Sequence, residues 1–138
     1  MDKILNYLSL ARKGGMVELG EEPVGAITRE GKGYLVLVAS DASDHTWRRA
    51  KSFVAGTSQQ CIRLEYTKEQ MGFVVGRTAL AIAAVSDVAL ALAMVKSLGN
   101  PEKYRDVLEV LSQKTEKQKK RRSEAEAHKR NVRKGKKK

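Results

Sequence analysis

Apolar residues recur at helical spacing from the start of the chain. Ile4, Leu5, Leu8 and Ala11 share one helical face, Asp2 stands at the N-cap position and Gly14-Gly15 forms a stop. "MVELG" is long enough only for a brief strand, and Pro23 then sits in the first turn of a helix, where its missing N–H is harmless. "GKG" at 31–33 ends that helix. "YLVLVA" (34–39) is a continuous apolar run, the mark of a strand covered on both faces. A helix capped by Asp41 or Ser43 and ending at Gly56 follows, and then a short strand, "QCIRL". Thr67 and Gln70 make a capping box for "KEQMGFVV". "ALAIAAV" reads as another buried strand, Ser86 as the cap of the next helix, and Gly99-Asn100-Pro101 as its end. Five helices alternating with four strands predict a three-layer α/β/α sandwich around a small parallel or mixed sheet of about four strands.

The pattern changes after Pro101, which divides a body, residues 1–100, from an extension, 101–138. Tyr104, Val107, Leu108 and Leu111 form one more amphipathic stripe, so 101–111 should dock on the body. Beyond Leu111 the apolar face disappears. The stretch 112–138 has a helix-forming composition with nothing to bury, and is expected as a solvated helix or a disordered arm.

Charge sharpens this division. The net charge is +11; residues 101–138 contribute +9 of it and residues 1–100 only +2. The extension is therefore the strongly basic part. Its Lys117, Lys119, Lys120, Arg121, Arg122, Lys129, Arg130, Arg133 and Lys134 suit salt-sensitive, sequence-blind contact with phosphates. Val132 is the only aliphatic residue beyond Leu111 apart from alanines, which argues against a membrane surface. No apolar run reaches the roughly 18–20 residues of a membrane span, and the N-terminus lacks a signal-peptide core. One cysteine, Cys61, excludes an internal disulfide, so a soluble cytoplasmic protein is expected.

Candidate chemistry is sparse. His45 and His128 have no partner at metal-ligand spacing, and Ser40, Ser43 and Ser86 lie where caps lie rather than in a nucleophile elbow. No enzyme, cofactor or small-molecule substrate is indicated. The glycines of "GKG" precede a strand, the reverse of a phosphate loop, which leaves Lys32 as the part able to meet a phosphate. In "HTWRRAKSF", Trp47 with Arg48, Arg49 and Lys51 admits base stacking. A helix with Trp47, Ala50 and Val54 turned inward is the simpler reading.

Several of these segments form an ordered set: "LARKGG" before the short strand, "GEE" at the helix start, "GK" before the next strand and "DAS" after it, then "MGFVVGR" and "ALAIAAVSD". Over residues 3–98 the chain resembles the ribosomal L-seven-Ae/L-thirty-e superfamily of kink-turn RNA binders, and within it the bacterial YlxQ-type ribosomal-protein-like branch. The resemblance implies the α/β/α sandwich and RNA binding without catalysis, with ribosomal RNA or the ribosome as partner and contacts to ribosomal proteins. Kink-turn binders of this superfamily carry Gly-x-Asn-Glu-x-x-Lys at the helix start. Gly20 matches the glycine, but Glu22 stands for the Asn, Pro23 for the Glu and Ala26 for the Lys. What the family implies here is thus a retained surface without its guanine-reading code. Glu21 and Glu22 beside the helix N-terminus suit the helix dipole and repel phosphate. The second family contact loop maps to Val75, Gly76 and Arg77, and "LARKGG" places Lys13 on the same face by analogy. The alternative reading is a protein-interaction module that docks a basic partner at the two glutamates and uses the extension as a tether. A substrate-binding domain of an RNA methyltransferase has no cofactor domain after it to support it.

Overall fold

The computed structural model describes residues 2–136, and side chains as far as Lys129. The elements run α1 (Lys3–Lys13), β1 (Val17–Leu19), α2 (Glu21–Arg29), β2 (Leu35–Val38), α3 (Asp44–Val54), β3 (Gln60–Arg63), α4 (Lys68–Phe73), β4 (Ile82–Val85), α5 (Val88–Ser97) and α6 (Arg105–Lys136). The sheet order is β1-β4-β2-β3. β4 pairs antiparallel with both β1 and β2, whereas β2 and β3 are parallel, so the sheet is mixed.

Every residue of β2 and β4 is buried, as expected of central strands covered on both faces. α2 and α3 cover one face, and α1 and α5 the other. Ile4, Leu5, Leu8 and Ala11 form the buried face of α1. α6 packs beside α5 and buries Leu111 in the core. The α/β/α sandwich is therefore the architecture of the chain.

Two ends of this sheet matter below. The carboxyl ends of β1, β2 and β3 and the start of β4 lie together, since Leu19 faces Ala83 and Val38 faces both Ile82 and Arg63. The other end, about 13 Å away for four-residue strands, carries Met16, Tyr34 and Ser86.

Three expectations need correction. Asp87, not Ser86, caps α5: its Oδ2 accepts the Leu90 N–H at 2.9 Å. Ser86 instead donates its backbone N–H to the Met16 carbonyl and extends the β1–β4 ladder by one step. Asp2 occupies the N-cap position of α1 without a capping bond, because its carboxylate accepts from the Tyr66 hydroxyl at 2.8 Å.

The third correction concerns α6, which keeps burying residues past Leu111. Leu111 is 0% exposed and Thr115 5%. The threonine hydroxyl donates to the Leu111 carbonyl at 2.7 Å, which lets a polar residue be buried without a penalty. α6 is one helix of 32 residues, about 48 Å long. Tyr104 lies beside Leu64 and Ser97, while Lys114 lies beside Tyr34 and Val88. The helix therefore runs from the carboxyl end of the sheet to the opposite end and continues beyond it.

Candidate functional site

At the carboxyl end of the sheet, Gly20 opens α2 with φ 97° and ψ 161°, a conformation that a side chain would strain. Its N–H donates to the Ile82 carbonyl at 3.0 Å, which fixes the helix start against β4. A Cβ on Gly20 would stand 3.8 Å from Nη1 of Arg77, so the guanidinium lies directly over this glycine. Gly20 and Arg77, 57 positions apart in sequence, are thus one locus.

The charge of that locus differs from the two free carboxylates that "GEE" suggests. Arg49, from the middle of α3, donates from Nε to Oε1 of Glu21 at 2.6 Å. Its guanidinium is also held over the Phe53 ring, 5.0 Å from the centroid. Glu21 is paired with Arg49, and of the two glutamates only Glu22 stays exposed and, among the described residues, without a salt bridge. The sequence hint was the "RRAKSF" run, but nothing in it said which helix Arg49 would meet.

The turn after α4 supplies Arg77. Both the Val75 and the Arg77 N–H donate to the Gly72 carbonyl, at 3.0 and 2.9 Å, and Gly76 is exposed at the tip. Val75, placed in the second contact loop by family analogy, is 6% exposed and belongs to the core. The apolar side chain this turn does present is Phe73, 75% exposed at the end of α4, which sequence reasoning passed over.

Lys13 and Lys32 do not join this locus. Lys13 ends α1 just before Met16, and Lys32 precedes β2, so both belong to the opposite end of the sheet. "GKG" is a helix stop, as its order implied. Gly31 has φ 75°, its N–H donates to the Thr28 carbonyl, and the Lys32 N–H donates to the Ile27 carbonyl. The turn is anchored by buried Gln59, whose Oε1 accepts the Gly33 N–H at 2.8 Å and whose Nε2 donates to the Thr28 carbonyl at 3.1 Å.

Trp47 is half-buried, with Lys51 and Arg63 within 5.4 and 5.5 Å of its ring. Arg63 is itself fixed, donating from Nη2 to the Ala42 carbonyl at 2.7 Å. The indole thus packs against the core with two cations over its ring.

The basic residues of α6 divide by position. Lys114, Lys117 and Arg121, at i, i+3 and i+7, share one helical face and line a cleft with Gly31 and Tyr34. Lys119, Lys120, Arg122 and Lys129 are solvent-exposed, and Lys119 meets Glu116 only loosely, at 3.7 Å. The side chains of Arg130, Arg133 and Lys134 lie outside the described part.

No protein-family model and no curated protein matches the sequence. Solved structures do match by fold. A protein of unknown function from Bacillus halodurans superposes with a TM-score of 0.67 at 21% identity, over 72% of this chain and 99% of that one. The 15.5 kD RNA-binding protein of Giardia lamblia superposes with a TM-score of 0.53 at 18% identity, over 72% and 84% respectively. At these identities the likeness establishes a shared fold.

Proposed function

We propose that the chain is a non-catalytic RNA-binding protein associated with the ribosome or with translation, of the YlxQ-type branch of the kink-turn-binding superfamily. The observation that carries this reading is the convergence of Gly20 and Arg77. A bare backbone and a guanidinium meet at the carboxyl end of an α/β sheet, where ligands of such folds commonly sit. The RNA-binding neighbour from Giardia lamblia supports it at the level of the fold. Gly20, Gly76 and Arg77 would recognise the shape of a structured RNA, with Arg49 held in reserve by Glu21. Lys13, Lys32 and the basic face of α6 would add phosphate contacts and their counterion release. Glu22, Pro23 and Ala26 leave the site without the amide, carboxylate and cation of the family code.

The test is binding of the full chain to ribosomes, to a kink-turn RNA and to a straight duplex of matched length, across a salt series. Tight, steeply salt-dependent binding with little preference between the two RNAs is expected. Absence of binding to any of the three at about 0.1 M salt, where phosphate-directed binding should persist, overturns the reading.

The alternative, a protein-interaction module, draws on exposed Phe73 as an anchor. It is weakened by the loss of Glu21 to Arg49. Phe73→Ala would then abolish capture of a protein partner and leave RNA affinity unchanged.

A further inference from the structure

The cleft where α6 passes the start of β2 contains a concentration of positive charge that the fold itself does not explain. It holds about 360 Å³. Gly31 and Tyr34 form one wall; Lys114, Lys117, Gln118 and Arg121 form the other. No carboxylate lines it. Among the described residues, none of the three cations pairs with an acidic side chain. Lys114 lies over the Tyr34 ring, 5.2 Å from the centroid, and is half-buried. Burial, and secondarily the charge of Lys117, push its ammonium below the ordinary lysine range. Lys117 and Arg121 are exposed beside the half-buried Lys114, and like charges gathered on one helical face repel unless an anion joins them.

Both walls are anchored to the body. Leu111, one turn before the cleft, and Thr115, between Lys114 and Lys117, fix α6, and Gln59 clamps the Gly31–Gly33 turn. The phenol of Tyr34 and the amide of Gln118 add neutral hydrogen-bond donors of the kind phosphate oxygens accept. From Arg121 the cleft opens onto the exposed basic stretch of α6, so it suits a continuous chain of phosphates.

We propose that this cleft is a second phosphate-binding site, seating an RNA backbone at the end of the sheet opposite Gly20 and Arg77. The protein then holds RNA at two separate places, about the length of the sheet apart. The proposal rests on the RNA-binding reading above and adds to it where the second strand, or the second segment of one strand, is held.

The test compares the full chain with Lys117→Glu/Arg121→Glu, with Arg77→Ala and with all three changes together. Affinity for a short fluorescein-labelled RNA duplex is measured across a salt series. Amide NMR follows Gly31 and Gly33 during titration with the same RNA and, separately, with inorganic phosphate. Charge reversal is expected to weaken RNA binding at least about tenfold at about 0.1 M salt and to lower the salt slope by about 2. Its effect should multiply with that of Arg77→Ala, as for independent sites. The Gly31 and Gly33 signals should move with RNA in the parent and stay still in the reversed variant. Lys117→Gln/Arg121→Gln, which adds no acid, should give a smaller loss in the same direction. If charge reversal leaves affinity within about twofold and the slope unchanged while the parent binds RNA, the cleft proposal is wrong and the RNA-binding reading survives. If Gly31 responds to inorganic phosphate but not to RNA, the site belongs to a small anion and the proposal is likewise wrong. A parent that binds no RNA removes both.

Discussion

Arg49 determines how acidic the start of α2 is. With Glu21 bound to Arg49 at 2.6 Å, each side chain is spoken for, although both are partly exposed and the pair adds well under ~1 kcal/mol of stability. Glu21→Gln should therefore leave thermal stability nearly unchanged. It should release Arg49 toward the RNA and raise affinity about two- to fivefold at low salt, an advantage that fades as salt screens it. Fluorescence anisotropy at two salt concentrations checks this; a loss of affinity would mean Glu21 itself contacts the RNA. Gly72 is the opposite case, a residue that tolerates no side chain. A Cβ there would lie 2.8 Å from both the Arg77 carbonyl oxygen and Ala79 Cα, backbone atoms that do not yield. Gly72→Ala should cost about 1–3 kcal/mol in urea denaturation and displace Arg77 from Gly20. Two partly buried acids make stability fall at alkaline pH. Burial pushes the Cys61 thiol up to about 12 against the pull of Lys51. Burial first, then the hydrogen bond to Asp2 and the charges of Asp2 and Glu65, push the Tyr66 phenol up to about 12. Both folded values exceed the ordinary ones of 9.0 and 10.0, so this stability is complete below about pH 9 and is lost as pH rises toward 12. Melting temperatures from pH 8 to 11 should fall over that interval, and less so in Cys61→Ala.

The helix boundaries show how far local rules reach. Ser43 and Thr67 cap α3 and α4 where their sequence signatures place them, the latter in a complete capping box with Gln70. At α5 the sequence reading took Ser86 as the cap, and the use of the adjacent Asp87 instead is tertiary. β1 claims the Ser86 backbone, so Asp87 is left to start the helix. Asp87→Ala should lose about 1 kcal/mol in chemical denaturation, and Ser86→Ala should lie within about 0.5 kcal/mol of the parent; the reverse order would reinstate Ser86 as the cap. The layers and central strands were legible because burial on two faces writes an unbroken apolar run. The candidate site was legible only in part, since contacts such as Arg77 over Gly20 and Arg49 on Glu21 leave no periodicity. Lys13 and Lys32 illustrate the limit. They precede β1 and β2 whereas Gly20 follows β1, and the sheet register puts them at the other end.

At the scale of the whole molecule, α6 determines where the charge goes. A sequence reading ends its docking at Leu111 because the next inward residues, Lys114, Thr115 and Gln118, are polar. Their burial relies on an intrahelical hydroxyl bond and on long aliphatic stems, which hydropathy does not register. The consequence is that two truncations should behave differently. Ending the chain after Leu111 strips Thr115 and the Lys114–Tyr34 contact and leaves a frayed last turn against α5. Ending it after Arg122 keeps every described contact between α6 and the body. The longer form, 1–122, should melt within about 2 °C of the full chain, whereas 1–111 should lose about 1–3 kcal/mol, at about 4 °C per kcal/mol for a chain between the 100- and 150-residue classes. RNA binding should separate them again. The 1–122 form retains Lys114, Lys117 and Arg121 and should keep a substantial part of the salt slope, while 1–111 should keep only what the body supplies. Differential scanning calorimetry with the same salt series decides between this and a uniformly solvated arm. Such an arm would make affinity fall in proportion to the cations removed and leave the melting temperature of 1–111 unchanged. A step in both quantities between residues 111 and 122 would identify the docked segment of α6 as part of the folded body, with the basic helix beyond it projecting away from Gly20 and Arg77.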